Sequence, residues 1–184
     1  MAINLKSVSL ALLAAVFVLV PAACRGRHSR EAVKNEEPTS PSAKLVSQLK
    51  MDDQDAADQL LQGFYPPEAG ANWRWTAGKF AVNLKSPLRS AENGGTLSLE
   101  FNLPEAVIQK LGPMTLTAVA GLKKLGSQTY NAPGPYVFTA GVPKELLQKE
   151  SVTVDFVLDK SLPPGPVEKR ELGIIATTVG LEAR

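Results

Sequence analysis

Cysteine and histidine are almost missing from this 184-residue chain, which has one of each, Cys24 and His28. A lone cysteine excludes an internal disulfide, so any folded part must hold by packing. A lone histidine close to that cysteine leaves no Ser-His-Asp, Cys-His or multi-histidine metal constellation to build. Tryptophan is scarce as well, at Trp73 and Trp75. The longest apolar run, residues 8–23, is 16 long, short of the roughly 20 residues of a membrane-crossing helix. No glycine-rich loop follows a strand pattern, so no phosphate cradle is indicated. Charge of either sign is not in excess, with 20 basic and 18 acidic residues.

The balance is uneven along the chain. Residues 25–50 hold six basic residues against three acidic, while residues 51–184 hold 13 basic against 15 acidic. The pI near 8.7 therefore comes partly from the N-terminal region, and nucleic-acid binding by the remainder is not expected. About 130 residues is one ordinary domain.

The N-terminus has the order of an export signal: Lys6, an uncharged stretch over 8–20, then small residues Ala22 and Ala23 before Cys24. The segment Leu19-Val20-Pro21-Ala22-Ala23-Cys24 resembles the lipobox of bacterial lipoproteins, with Pro21 where that pattern has Leu, Val or Ile. The resemblance implies a signal peptide over 1–23 and a lipid on the Cys24 thiol that attaches the protein to a membrane of the cell envelope. Arg25, rather than Asp, after the cysteine resembles outer-membrane cargo of Gram-negative cells. Plain secretion would leave Cys24 as a free thiol, and an uncleaved anchor would be short. All three readings place the rest of the chain outside the cytoplasm.

Residues 24–50 read as a flexible basic tether, polar and marked by Pro38 and Pro41. Residues 51–62 read as a short helix, with Asp52 or Asp53 as N-cap and Gly63 as the stop. Its aspartates lack the glycine and glutamate offsets of a calcium loop, and no metal or other cofactor is expected. After Gly63 the apolar period switches to two. Leu97, Leu99, Phe101 and Leu103 alternate with polar residues, as do Met114 with Leu116 and Val152 with Val154, Phe156 and Leu158. Turn signals separate the runs, at residues 92–95, 112–113, 132–135 and 163–166. The expectation for 63–184 is an all-β domain, an antiparallel β-sandwich of about eight strands with a jelly-roll-like order. Residues 104–111 and 143–147 each read as one helical turn beginning at a proline.

Two segments break the alternation: Gly63-Phe64-Tyr65 with Glu68 and Trp73-Arg74-Trp75, and residues 159–173 ending in Arg170-Glu171-Leu172-Gly173. Here the chain resembles β-sandwich domains of the galactose-binding-like, carbohydrate-binding-module type found beside bacterial glycosyltransferases. It has Glu168-Lys169 where that pattern has Asp-Gly. The resemblance implies a β-sandwich and marks Tyr65, Glu68, Trp73, Arg74, Trp75, Arg170 and Glu171 as candidate ligand-binding residues.

Each has a second reading. Alternation sends both indoles to one face: a platform for sugar rings if exposed, core plugs if buried, with Arg74 then paired to Glu68 or Glu171. Arg170-Glu171 reads as a clamp for hydroxyls or carboxylates, or as a structural ion pair. No two carboxylates fall at a spacing that specifies hydrolysis, so no catalytic residue and no enzyme activity is expected. The expected partners are the membrane, through Cys24, and either an envelope glycan or an envelope protein.

Overall fold

Alternating side chains need two surfaces, one dry and one wet, and the described residues answer with nine antiparallel strands. The computed structural model describes residues 44–53 and 57–184. Their strands are β1 (Gln48–Lys50), β2 (Leu60–Phe64), β3 (Arg74–Lys85), β4 (Gly95–Leu103), β5 (Met114–Ala120), β6 (Lys123–Tyr130), β7 (Gly134–Val142), β8 (Ser151–Leu158) and β9 (Ile175–Ala183). Helices α1 (Ser90–Asn93) and α2 (Glu105–Leu111) sit in the connections. The order is β6-β5-β8-β3-β9-β4-β7, with β1 added to β9 and β2 to β3.

Strand β3 belongs to both layers. Residues 79–85 pair with β8, whereas Arg74 and Trp75 pair with Ala176 and Ile175 of β9. The inward rows of the two layers meet in one core. Phe80 and Phe156 stack at 5.0 Å on one layer, and Phe138 of the other meets Phe156 edge-on at 6.4 Å. All three rings are essentially inaccessible to water, and burial of this kind is the dominant favourable term in a chain without disulfides.

The register gives the sandwich two ends. Lys85 of β3 stands level with Ser151 of β8, and Gly95 of β4 with Val142 and Ala183. This near end carries residues 86–94, 121–122 and 143–150. The chain also comes in here, where the Lys85 amide donates to the Val46 carbonyl at 3.0 Å. The far end carries residues 65–73, 104–113, 131–133 and 159–174.

Two expectations change. The tether expected to reach Lys50 gives way earlier, because Gln48–Lys50 pairs with β9 and Leu49 is fully buried. In place of the helix expected over 51–62, the described residues hold one 3-10 turn, Ala57–Gln59, and strand from Leu60 onward. The buried Gln59 amide explains the switch. Its Oε1 accepts from the Val46 amide at 2.9 Å, and its Nε2 donates to the carbonyls of Val46 and Asn83 at 3.0 and 2.6 Å. Gly63 then holds φ at 72° beneath β3, where an added Cβ would lie 2.0 Å from the Lys79 carbonyl oxygen. Only glycine accepts both conditions. The signal over 1–23 and Cys24 lie outside the described residues. Among the described residues no helix is long and apolar enough to cross a membrane.

At the far end Tyr130 packs edge-on against Phe101 at 5.1 Å and lies tilted against Tyr136 at 4.6 Å. Its hydroxyl is buried with no partner among the described residues. Burial, helped by the nearby Tyr136, pushes the Tyr130 phenol up to about 12. A raised pKa means the fold favours the neutral phenol, so this contribution is complete below pH 10 and is lost between pH 10 and 12. Ultraviolet absorbance should show one tyrosine titrating near the upper limit, missing in Tyr130→Phe. That variant should match or exceed the parent in urea unfolding by up to about 1 kcal/mol, since a buried hydroxyl without a partner is a cost. Gly63→Ala should do the reverse, destabilising by about 2 kcal/mol or more through backbone clash and strain.

Candidate functional site

At the far end a cleft of about 640 Å³ opens between α2 and the proline-rich segment 162–168. Its wall is built from three chain segments. Trp75 comes from the start of β3, where pairing with Ile175 fixes its backbone. Ala106, Val107 and Lys110 come from α2, which begins as expected after a proline, Pro104, that has no amide hydrogen to satisfy and whose carbonyl accepts from the Val107 and Ile108 amides. The third segment is held as a loop by Leu162 and Leu172, whose amides and carbonyls bond reciprocally at 2.8 and 2.9 Å. Three prolines, 163, 164 and 166, line this side. Lys160, just before this segment, donates to the Leu111 and Pro113 carbonyls at 3.1 and 2.6 Å, which anchors the end of α2.

The polar edge of the cleft is a cluster around Arg170. Its Nε and Nη2 donate to the two carboxylate oxygens of Glu168 at 2.9 and 2.7 Å, and its backbone amide donates to Glu168 Oε1 at 2.9 Å. Glu68 adds a second carboxylate at 3.5 Å, which leaves the three-residue cluster one negative charge in excess. The guanidinium carbon stands 5.4 Å from the Tyr65 ring centre, a cation–π contact. One cation thus ties residues 65–68 to residues 168–170.

The sequence-predicted residues divide accordingly. Tyr65, Glu68 and Arg170 come together, and Trp75 shares the cleft wall with Arg170. Trp73 precedes β3 and is absent from that wall, so the two indoles form no common platform there. Neither indole is fully buried. Arg74 pairs with neither Glu68 nor Glu171; its Nε donates to the Met51 carbonyl at 2.8 Å. Arg170 and Glu171 do not pair either. Consecutive residues of an extended chain point apart, and Glu171 instead accepts from the Ser161 hydroxyl. Gly78 makes room for that pair, since a Cβ there would lie 2.7 Å from the Glu171 carboxylate.

Sequence reading missed Glu168, Lys110 and the proline wall. The signal for Glu168 was present: in an extended chain residues i and i+2 share a face, and 168 and 170 carry opposite charges. Among the described residues no three His, Cys, Asp or Glu side chains gather to hold a metal ion.

Hydrogen bonds from the Arg170 side chain and amide hold the Glu168 carboxyl down at about 2. The same bonds raise the Arg170 guanidinium above its ordinary value. Since the Glu168 value is depressed, its stabilising effect is complete above about pH 4.5 and is lost as pH falls towards 2. The side chains are 41% and 31% exposed, so solvent screens much of this energy. The expected consequence is local. Carbon-detected NMR should find Glu168 titrating near pH 2, and Arg170→Met should return it to the ordinary carboxylate range. An unchanged titration in that variant would contradict the clasp.

No protein-family model and no curated protein matches the sequence. The chain does bear a distant likeness to solved structures. One is a family GH115 4-O-methyl-α-glucuronidase, BtGH115A, with specificity for decorated arabinogalactans: TM-score 0.46, 12% identity, covering 77% of this chain and 18% of that one. A second is CsCBM6-3 from Clostridium stercorarium in complex with cellobiose: TM-score 0.41, 6% identity, covering 76% of this chain and 95% of that one. A third is a Clostridium perfringens ZmpB structure of CBM51-2 in complex with GlcNAc and INT domains: TM-score 0.37, 9% identity, with coverages of 76% and 28%. Likenesses this distant assign neither ligand nor activity to this chain.

Proposed function

We propose that this protein is a non-catalytic binding module of the cell envelope, exported and held to a membrane by a lipid on Cys24, that takes a glycan in the Trp75 cleft. The observation that carries the binding proposal is the cleft itself. About 640 Å³ is the volume of a ligand pocket, and its wall combines an indole and proline rings with Lys110, Glu168 and Arg170. Flat apolar rings suit the C–H faces of sugars, while the charged groups suit hydroxyls and fix orientation.

Glu168 supports the non-catalytic part. Glycoside hydrolysis needs a second carboxyl facing the first and a proton to donate. Glu168 lines the cleft and Glu68 shares the Arg170 cluster at its edge; Arg170 is committed to both and keeps Glu168 ionised well below neutral pH. A group in that state holds a ligand or a neighbouring chain segment; it does not protonate a leaving oxygen.

A second reading has one observation in its favour. Val167, on the cleft wall, is 95% exposed, which suits an apolar partner protein. The two readings separate by titration. Trp73→Phe leaves Trp75 as the sole indole, and its emission should shift on adding the matching envelope polysaccharide. Trp75→Ala should weaken binding at least about tenfold, or about 1.4 kcal/mol. If no polysaccharide in a broad panel moves the Trp75 signal, the glycan proposal fails and the docking reading replaces it.

A further inference from the structure

We propose that the near end of the sandwich is a membrane-contact surface for anionic lipid, so that the Trp75 cleft at the far end faces away from the bilayer. This rests on the anchored reading for its biological setting, although the surface itself is argued from the fold. Two leucines at this end are uncovered by the described residues. Leu88, in the connection from β3 to α1, is 92% exposed, and Leu122, at the tip between β5 and β6, is as exposed as in an extended chain. Their placement at one end follows from the register. Val119 stands level with Asp155 and Lys85 with Ser151. Running β5 on from Val119 therefore brings the Leu122 tip level with the end of β3, two strand spacings away across β8, or roughly 10 Å.

Charge accompanies both leucines. Lys85 and Arg89 bracket Leu88, and Lys123 and Lys124 follow Leu122. With Lys144 and Lys149 in the connection to β8, the near end has six basic residues, against the acidic Glu92, Glu145 and Glu150. Glu182 and Arg184 at the end of β9 offset one another. The domain beyond residue 50 is net acidic, so this end runs against its own background. Exposed apolar tips within a basic field match an anionic bilayer surface: leucines enter the acyl boundary while lysines meet headgroups.

The path of the chain selects this occupant over a partner protein. Val46 bonds to Lys85, so the polypeptide enters the sandwich at this end. Residues 25–43 separate Cys24 from the first described residue, Lys44. At no more than about 3.5 Å per residue they keep a lipid on Cys24 within roughly 70 Å of the near end. On the anchored reading, the connection to the bilayer therefore reaches the sandwich at its near end, beside the exposed leucines and lysines.

The test uses the whole chain, purified in detergent and reconstituted in vesicles of phosphatidylglycerol and phosphatidylethanolamine, with phosphatidylcholine vesicles as comparison. An environment-sensitive dye is placed at Ala91→Cys, on the near end, or at Ala132→Cys, on the far end. In the anionic vesicles the dye at 91 should shift to the blue and be quenched by spin-labelled lipid, and the dye at 132 should do neither. The shift at 91 should vanish in Leu88→Ser/Leu122→Ser and in Lys123→Glu/Lys124→Glu. Equal signals at both positions, or a signal at 91 that survives both double variants, would overturn the proposal. Alkylation of Cys24 in the parent chain tests the anchor separately. A reactive thiol there refutes lipid attachment, and the vesicle comparison repeated in a Cys24→Ser background then decides the contact alone.

Discussion

Strand β3 is the constraint on which the rest depends. Its first residues pair with β9 in one layer and the remainder with β8 in the other, so a single strand couples both sheets in a chain with no disulfide. That double membership places Phe80 in the core stack and Trp75 on the cleft wall. It also explains why Gly63 cannot be replaced: β2 closes over β3 so tightly that a carbonyl occupies the space of a side chain. Stability and site therefore share one element, and a variant that loosens β3 should disturb both.

The same strand separates two surfaces of different chemistry. Its start lies beside an apolar, proline-walled cleft edged by an ion cluster of one arginine and two glutamates. Its end lies beside exposed leucines in a basic field. Arg170 spends its charge internally on Glu168 and Glu68, so the cleft has little net charge for steering a ligand, and Lys110 is the cation on its wall without an acidic neighbour in that cluster. The near end keeps its lysines for solvent or membrane. In the proposed anchored state, the division gives the module a direction.

How much of this is visible in the sequence depends on the range of the forces involved. The strands at 97–103, 114–120 and 152–158 are legible because alternation is a local property of a half-buried sheet. The turn at 104–111 is legible because Pro104 starts a helix without losing a bond. The strand at 60–64 is not, since Leu60-Leu61-Gln62-Gly63 also suits a helix end. Gln59's bonds to Val46 and Asn83 decide the matter over distances of 13 and 24 residues. The site was legible in part: Tyr65, Glu68, Trp75 and Arg170 lie together, but charge adjacency misdirected Arg170 to Glu171. The proline run read as a turn and proved to be a wall, which only its place across the cleft from α2 reveals.

The central claim is that the two ends of this sandwich face different things. Hydrogen exchange measured by mass spectrometry on the whole chain, in anionic vesicles and in detergent, tests it directly. The account expects amides of residues 86–91 and 121–124 to gain protection in vesicles while those of 104–111 and 168–173 exchange unchanged. Protection appearing at 104–111 and 168–173 instead would place the cleft against the bilayer and contradict it.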